Sequence, residues 1–140
     1  MYRLTQSDAV IRLTDMAFIP ADPANSDWAA YEVWLDAGGV PEPVPAPSVD
    51  DVKAALSGAV QGHMDAAAKA AGYDDIKSAV TYADEPAVAK FQQEGQSFRE
   101  WRSLVWAACY GVMADVEAGY RDVPTAQELI AELPLLELPA

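Results

Sequence analysis

The sequence predicts an α+β protein that is mainly helical: a small N-terminal β-hairpin or three-stranded unit with a short helix, then a Pro-rich linker and an antiparallel helical body. Three observations predict this class. Short segments that mix apolar and polar residues fill positions 1–19, prolines alternate from 41 to 47, and helical spacing dominates the remainder. We therefore expect an N-terminal module at 1–40, a linker at 41–48 and a helical body at 49–140.

The chain of 140 residues carries nine Lys and Arg against 22 Asp and Glu, a net charge of −13. Because the acidic residues repel phosphate backbones and anionic membranes, we expect no nucleic-acid and no membrane partner. The charge fits either an ordinary solvated surface or a basic partner. The apolar runs are too short to cross a bilayer, and the N-terminus lacks the pattern of a signal peptide, so we expect no export by that route.

The N-terminal residues predict short strands at Met1 to Thr5, Ala9 to Leu13 and Met16 to Ile19. A turn at Thr14 and Asp15 makes the last two segments a hairpin, which Pro20 ends. Two or three strands alone are marginally stable in water. This unit must therefore pack on the helices or on a partner, and the edge of the hairpin is suited to extending a partner's sheet.

A short aromatic helix follows, capped by Asn25 or Ser26 and ended by Gly38-Gly39. Its spacing collects Trp28, Tyr31 and Leu35 on one side, with Trp34 at the margin. Burial against the strands is the favoured interpretation, because buried aromatic residues are usually core. The alternative is a partner-binding face, for which the candidate contacts are Trp28, Tyr31, Trp34, Ile11 and Phe18.

Four alternating prolines, Pro41, Pro43, Pro45 and Pro47, favour an extended polyproline II spacer over a helix. Ser48 with Asp51 then resembles a capping box, and the helix that it opens runs to about Ala71. Its apolar stripe is thin: Val52, Leu56, Val60 or Ala59, His63 and Ala67. Gly58 and Gly62 on this helix allow another backbone to approach closely.

The remaining helices are marked by their ends. A short helix is predicted around Ile76 to Tyr82, and Pro86 suits the first turn of the next one. Thr125 and Glu128 form a capping-box pair for a last short helix that Pro134 ends. The apolar tail LPLLELPA should pack on the body or on a neighbour.

The stretch from Phe91 to Val116 predicts the central core helix, which ends near Gly119. Its predicted apolar face carries Phe91, Phe98, Val105 and Val112, with Trp101, Leu104 and Ala108. Gly95 marks either a bend or a close contact.

The residues predict no enzyme, no cofactor and no metal site. The chain has no Gly-rich phosphate loop and no HExxH or cysteine pair. The single cysteine, Cys109, is predicted to be a buried structural thiol, and His63 a partly buried structural histidine. Acidic pairs such as Asp50-Asp51, Asp74-Asp75 and Asp84-Glu85 stand at predicted helix starts, where the helix dipole explains them.

Two stretches resemble tailed-phage proteins. The first, YRLTQSDAVIRLTDMAFIPADPANSDWAAYEVWLDAGGVPEP, is similar to a module of many tail proteins in which an IP-x-DP-x-N-x-DW-x-x-Y-x-x-WL-x-x-G-x-x-PEP string follows a short hairpin. The second runs from GYDDIKSAVTYADEPAVAKFQQEGQSFREWRSLVWAACYGV to VPTAQELIAELP and is similar to the C-terminal part of small phage or prophage tail proteins. In it, Trp101, Arg102, Val105 and Trp106 resemble the Trp-Lys/Arg signature of tail-fibre assembly chaperones.

The resemblance implies a phage tail-fibre assembly chaperone or fibre-associated protein that binds the fibre non-covalently. It implies a tail fibre or other tail protein as partner, a homo-oligomer or association with a trimer, and a place in the virion tail or in the host bacterial cytoplasm during assembly. Two alternatives stay open. One is a stoichiometric structural virion component, such as a fibre-tip cap or baseplate accessory protein; the other is a host-surface binding module that uses the aromatic helix.

Overall fold

A computed structural model describes all residues, 1–140, as two compact units, Met1–Pro47 (unit 1) and Ser48–Ala140 (unit 2). Unit 1 contains β1 (Tyr2–Leu4), β2 (Val10–Arg12), β3 (Ala17–Ile19) and α1 (Ser26–Asp36). Unit 2 contains α2 (Val49–Ala70), α3 (Ile76–Thr81), a 3₁₀ helix (Tyr82–Asp84), α4 (Ala89–Glu117) and α5 (Ala126–Glu132). The predicted α+β, mainly helical class is confirmed. No helix combines the length and apolar content that a membrane span requires.

The sheet of unit 1 is antiparallel in the order β1-β2-β3, as the predicted hairpin requires. The register pairs Leu4 with Val10 and Val10 with Ile19. Glu42 adds a single parallel bridge to Arg3 on the outer edge of β1. Part of the segment predicted as a spacer at 41–48 is therefore paired with the sheet, because the extended backbone between two prolines already has the conformation of a strand.

Helix α1 packs on one face of this sheet. Asn25 is its N-cap, and the Asn25 side chain accepts a hydrogen bond from the backbone N–H of Asp27. The core of the unit consists of Tyr2, Val10, Ile19 and Tyr31, with Trp28, Trp34 and Leu35 packed against it. The aromatic helix therefore packs against the strands, as the favoured interpretation predicts.

Unit 2 begins with the predicted capping box, in which Ser48 and Asp51 each accept from the other's backbone N–H. Core residues come from all of its α-helices and from the segment that follows α5: Val60, Met64, Ala68, Ile76, Ala79, Phe98, Trp101, Val105, Cys109, Leu129 and Leu133. A Cβ built on Gly95 would lie 2.6 Å from the backbone nitrogen of Ala83, so Gly95 is the predicted close contact. Gly58 and Gly62 have nothing within 4 Å of a built Cβ, so no backbone approaches them.

Two predictions about the central helix are wrong in detail. Helix α4 begins at Ala89, because Pro86 lies in a turn after the 3₁₀ helix and not in a first helical turn. Leu104 is 58% exposed and Phe91 is 41% exposed, so neither belongs to the buried stripe. The stripe instead includes Gly95 and Cys109, because the glycine lets the 3₁₀ helix approach and shifts the buried face of α4 toward it.

The C-terminal segment packs in part. Thr125 and Glu128 form the predicted capping box of α5. After it, Leu133 is buried and Leu136 packs against the core, but Leu135 is exposed. The indole N–H of Trp101 donates to the Pro134 carbonyl at 2.7 Å. This hydrogen bond links the segment that follows α5 to the centre of α4.

Candidate functional site

The strand register brings Ile11 and Phe18 together. They are direct partners across β2 and β3, and Arg3 is the partner of Ile11 on the other side. Because successive side chains of a strand point to opposite faces, this row lies on the face opposite to Tyr2, Val10 and Ile19. Phe18 is 64% exposed and Ile11 is half-buried. Helix α1 covers the other face, so these two candidates lie on the outer face of the sheet.

The aromatic candidates on α1 serve mainly the interior of unit 1. Tyr31 is 5% exposed, with its ring centroid 5.0 Å from that of Tyr2 and 5.1 Å from that of Trp28. Tyr31 is therefore not part of a contact surface, because a side chain packed against Tyr2, Trp28 and Trp34 cannot also reach a partner. Trp28 and Trp34 are half-buried. Trp34 packs on Tyr2 and against Gly39, where a Cβ would collide with the indole.

The two edges of the sheet differ. Glu42 covers the edge of β1: its N–H donates to the Tyr2 carbonyl at 2.8 Å, and its carbonyl accepts from the Leu4 N–H at 2.9 Å. Strand β3 has β2 on one side only. Neighbouring residues of an antiparallel strand bond to opposite sides. The Leu13 N–H bonds to the Met1 carbonyl, so Ile11, two residues earlier, also bonds toward β1. Its partner Phe18 therefore forms no backbone hydrogen bonds with β2, and the N–H and C=O of Phe18 point to the free edge.

Sequence reasoning missed Met16, which adjoins this edge. It is 60% exposed and has a φ of +59°, the left-handed region that non-glycine residues rarely adopt. The turn is held by Arg12, which donates to both carboxylate oxygens of Asp15, at 3.0 and 2.8 Å, and to Asp27 of α1 at 2.7 Å. The Arg12 hydrogen bond, with that from the Ala17 N–H, lowers the pKa of Asp15 to about 2. No pattern in the sequence marks a left-handed methionine.

The charge of unit 1 is strongly acidic. Two arginines against seven acidic residues give Met1–Pro47 a net charge of −5. Both arginines are already paired, Arg12 as described and Arg3 with Glu42 at 3.2 Å. The unpaired charge that a partner would meet on this unit is therefore negative.

Unit 2 places its reactive side chains in structural positions. Cys109 is buried and free, and burial raises the pKa of its thiol, which keeps the unreactive protonated form. His63 is half-buried, with its ring centroid 5.7 Å from that of Trp101. Buried Glu94 accepts from the Tyr73 hydroxyl at 2.9 Å. Burial, followed by this hydrogen bond, raises the pKa of Tyr73 to about 12.

No group of three or more His, Cys, Asp or Glu side chains is arranged to hold a metal ion. An open depression on α4 is lined by Arg99, Glu100, Ser103 and Leu104. These four residues belong to one helix and do not enclose a ligand.

The candidate site is therefore the hairpin surface, by which we mean Ile11, Met16, Phe18 and the free edge of β3. It combines the exposed side chains of Met16 and Phe18 and the half-buried side chain of Ile11 with unpaired backbone groups, on a unit whose net charge is negative. Such a surface is suited to binding an extended polypeptide. No protein-family model, curated protein or solved structure matches the chain.

Proposed function

We propose that this protein is a phage tail-fibre assembly or fibre-associated protein that binds a tail fibre non-covalently. The hairpin surface is the observation that carries the proposal. It lies within the stretch that resembles the phage tail module, and that stretch folds as a compact unit with its own core. Phe18 and Ile11 form an apolar pair on the outer face beside an unpaired strand edge. A partner strand could use both, the backbone groups for affinity and the apolar pair for specificity.

We propose a binding role without catalysis. The side chains with the chemistry of a nucleophile or a base, Cys109 and His63, pack in unit 2 against its core. The proposed work of the protein is to cover apolar and backbone groups of the fibre that are exposed before or after trimer assembly. Such binding needs no cofactor.

Co-expression with a candidate phage tail-fibre protein tests this function. The soluble fraction and trimer yield of the fibre should rise when the full chain is present, and the two proteins should copurify. The Phe18→Thr variant removes the aromatic ring and introduces a β-branched residue that suits a strand, and it should reduce both effects. If fibre solubility and trimer yield are the same without this protein, the assembly role is wrong.

A stoichiometric virion component is the second candidate, since a surface that covers a fibre is equally suited to permanent attachment. Quantitative mass spectrometry of purified particles separates the two. Stoichiometric amounts favour the structural role, and absence favours a transient chaperone. A host-surface module based on α1 is less favoured, because Trp28 packs on Tyr31 and its indole N–H donates to Glu32.

A further inference from the structure

We propose that the hairpin surface binds one extended segment of a partner protein by strand addition to β3, and that this segment carries an apolar residue flanked by lysine or arginine. The identity of the partner as a tail fibre rests on the proposed function; the surface and the chemistry of its ligand do not. The bound segment is a strand of another protein. A second copy of this chain is the competing partner.

The backbone of β3 is prepared for one more strand. The N–H and C=O of Phe18 point to the free edge and have no strand beside them. Two backbone hydrogen bonds at one residue are a short but sufficient anchor for a bridge, and side chains on either side then add specificity. The next residue, Ile19, is buried in the core, which fixes the orientation of β3.

The β1 edge of the same sheet already has a short extended segment added to it. There the extended segment around Glu42 is held by two backbone hydrogen bonds at 2.8 and 2.9 Å and by one ion pair with Arg3. The side chain of Glu42 thus meets an arginine on the outer face of β1. At the β3 edge the chain supplies no such segment. A partner segment with the opposite charge would complete the sheet on that side.

The side chains favour an apolar residue on the bound strand. Ile11 and Phe18 form a cross-strand pair on the outer face, and neither belongs to the core cluster of unit 1. Met16 is held in a left-handed conformation, which costs a non-glycine residue about 1–2 kcal/mol. Glycine would remove that cost. A large apolar side chain at this strained turn is understandable if a partner contacts it.

The net charge of unit 1 favours a basic segment of another protein over a second copy of this chain. With both arginines paired and a net charge of −5 on unit 1, a segment flanked by lysine or arginine is attracted. Two copies of unit 1 joined through their β3 edges would bring like charges together. Repulsion of this kind disfavours self-association and gives the bound partner its basic character.

The test uses the full chain labelled with ¹⁵N and a short capped peptide that alternates valine with lysine. The peptide should shift the amide signals of β3 and slow hydrogen exchange at Phe18. A peptide with glutamate in place of lysine is the charge control and should bind at least about tenfold more weakly. No shift in β3, or equal binding of the glutamate peptide, would overturn the proposal.

Three variants separate the backbone contribution from the side chains. Phe18→Pro removes the outward N–H and should abolish peptide binding, whereas Phe18→Thr should weaken it by about tenfold. Met16→Gly should weaken binding while raising the melting temperature. Val33→Ala, at an exposed apolar position on α1, is the matched control and should bind normally. Near-ultraviolet circular dichroism checks that the aromatic core of unit 1 is intact in each variant.

Two results would contradict the assignment directly: peptide binding that Phe18→Thr leaves unchanged, or β3 shifts that depend on protein concentration without peptide, which would identify a second copy as the occupant. The outcome is distinguishable from failure of the proposed function. Peptide binding at β3 without fibre copurification would support the binding surface and contradict the fibre as its partner. Fibre copurification that survives Phe18→Thr would support the proposed function and contradict the hairpin surface as the binding site.

Discussion

The two units of this protein stabilise their cores by different means. In unit 1, aromatic rings pack on one another: Tyr2 lies 5.0 Å from both Tyr31 and Trp34, measured between ring centroids. In unit 2, aliphatic and aromatic side chains from several helices interlock, and the backbones meet at Gly95. Each aromatic ring buries a large area, so a few of them let a three-stranded sheet and one helix form a core.

The difference has a consequence for binding. One helix can cover only one face of a sheet, so the outer face of unit 1 keeps Phe18 exposed. In unit 2 the helices surround a shared core from more than one side. The unit with the smaller core therefore presents the surface that is better suited to a partner.

Trp101→Ala should produce the largest effect and should confine it to unit 2. Loss of a buried tryptophan costs about 3–5 kcal/mol, and the variant also leaves the Pro134 carbonyl without its donor. Denaturant titration followed by amide NMR signals of each unit should show unit 2 unfolding earlier and unit 1 unchanged. A variant that stays fully folded and no longer binds the fibre would reverse the roles we give to α4 and to the hairpin surface.

Gly95→Ala should destabilise unit 2 by about 1–3 kcal/mol, because the added methyl group meets rigid backbone atoms at 2.6 to 2.9 Å. Gly111→Ala is the matched control on the same helix, since nothing lies within 4 Å of its built Cβ. That substitution should stabilise α4 by about 0.5–1 kcal/mol. Opposite shifts in the melting temperature of the two variants are expected. Equal shifts would show that α4 and the 3₁₀ helix are not closely packed.

The sequence predicted elements better than it predicted their contacts. The capping pairs of Ser48 and Thr125 gave their helix starts directly, because a cap is a local interaction. Leu104 was misassigned because periodicity identifies a stripe but not its width or centre. The close approach at Gly95, which rotates the buried face, depends on residues more than ten positions away.

The candidate site shows the same limit. The predicted hairpin was enough to nominate Ile11 and Phe18 as contacts, and the observed register places them opposite each other. Tyr31 was nominated with them because the sequence pattern of an amphipathic aromatic helix is the same whether the helix packs on a sheet or binds a partner. That β3 and not β1 has the free edge depends on Glu42, which covers the edge of β1. No local sequence pattern could show which of the two edges is covered.

Asn25→Ala should cost about 1 kcal/mol and should act on unit 1 alone. Its side chain accepts from the Asp27 N–H at 2.9 Å and caps the one helix that covers the sheet. The adjacent Ser26→Ala is the control and should change stability little. Thermal unfolding followed by the amide NMR signals of each unit measures the loss. A loss confined to unit 2 signals would contradict the assignment of this cap.

Acid should loosen the β2–β3 turn of unit 1. Since the pKa of Asp15 is lowered from 3.8 to about 2, the stabilisation from its pairing with Arg12 is present above about pH 4 and is lost as the pH falls toward 2. The Ala17 amide, which donates to Asp15, should report this change by NMR. Asp15→Asn should remove that pH dependence at Ala17. A signal that titrates unchanged in the variant would assign the transition to another carboxyl group.

Alkali should act on unit 2 through Tyr73, with the opposite sign. Its pKa is raised from 10.0 to about 12 because burial and the carboxylate of Glu94 disfavour tyrosinate. The folded state holds the proton more tightly than the unfolded chain, so this stabilisation is present below pH 10 and is lost as the pH rises toward 12. Tyr73→Phe should lower stability at neutral pH, since it leaves Glu94 without its donor, and should flatten the alkaline decline. If unit 2 loses stability over the same alkaline range in both proteins, Tyr73 does not control it.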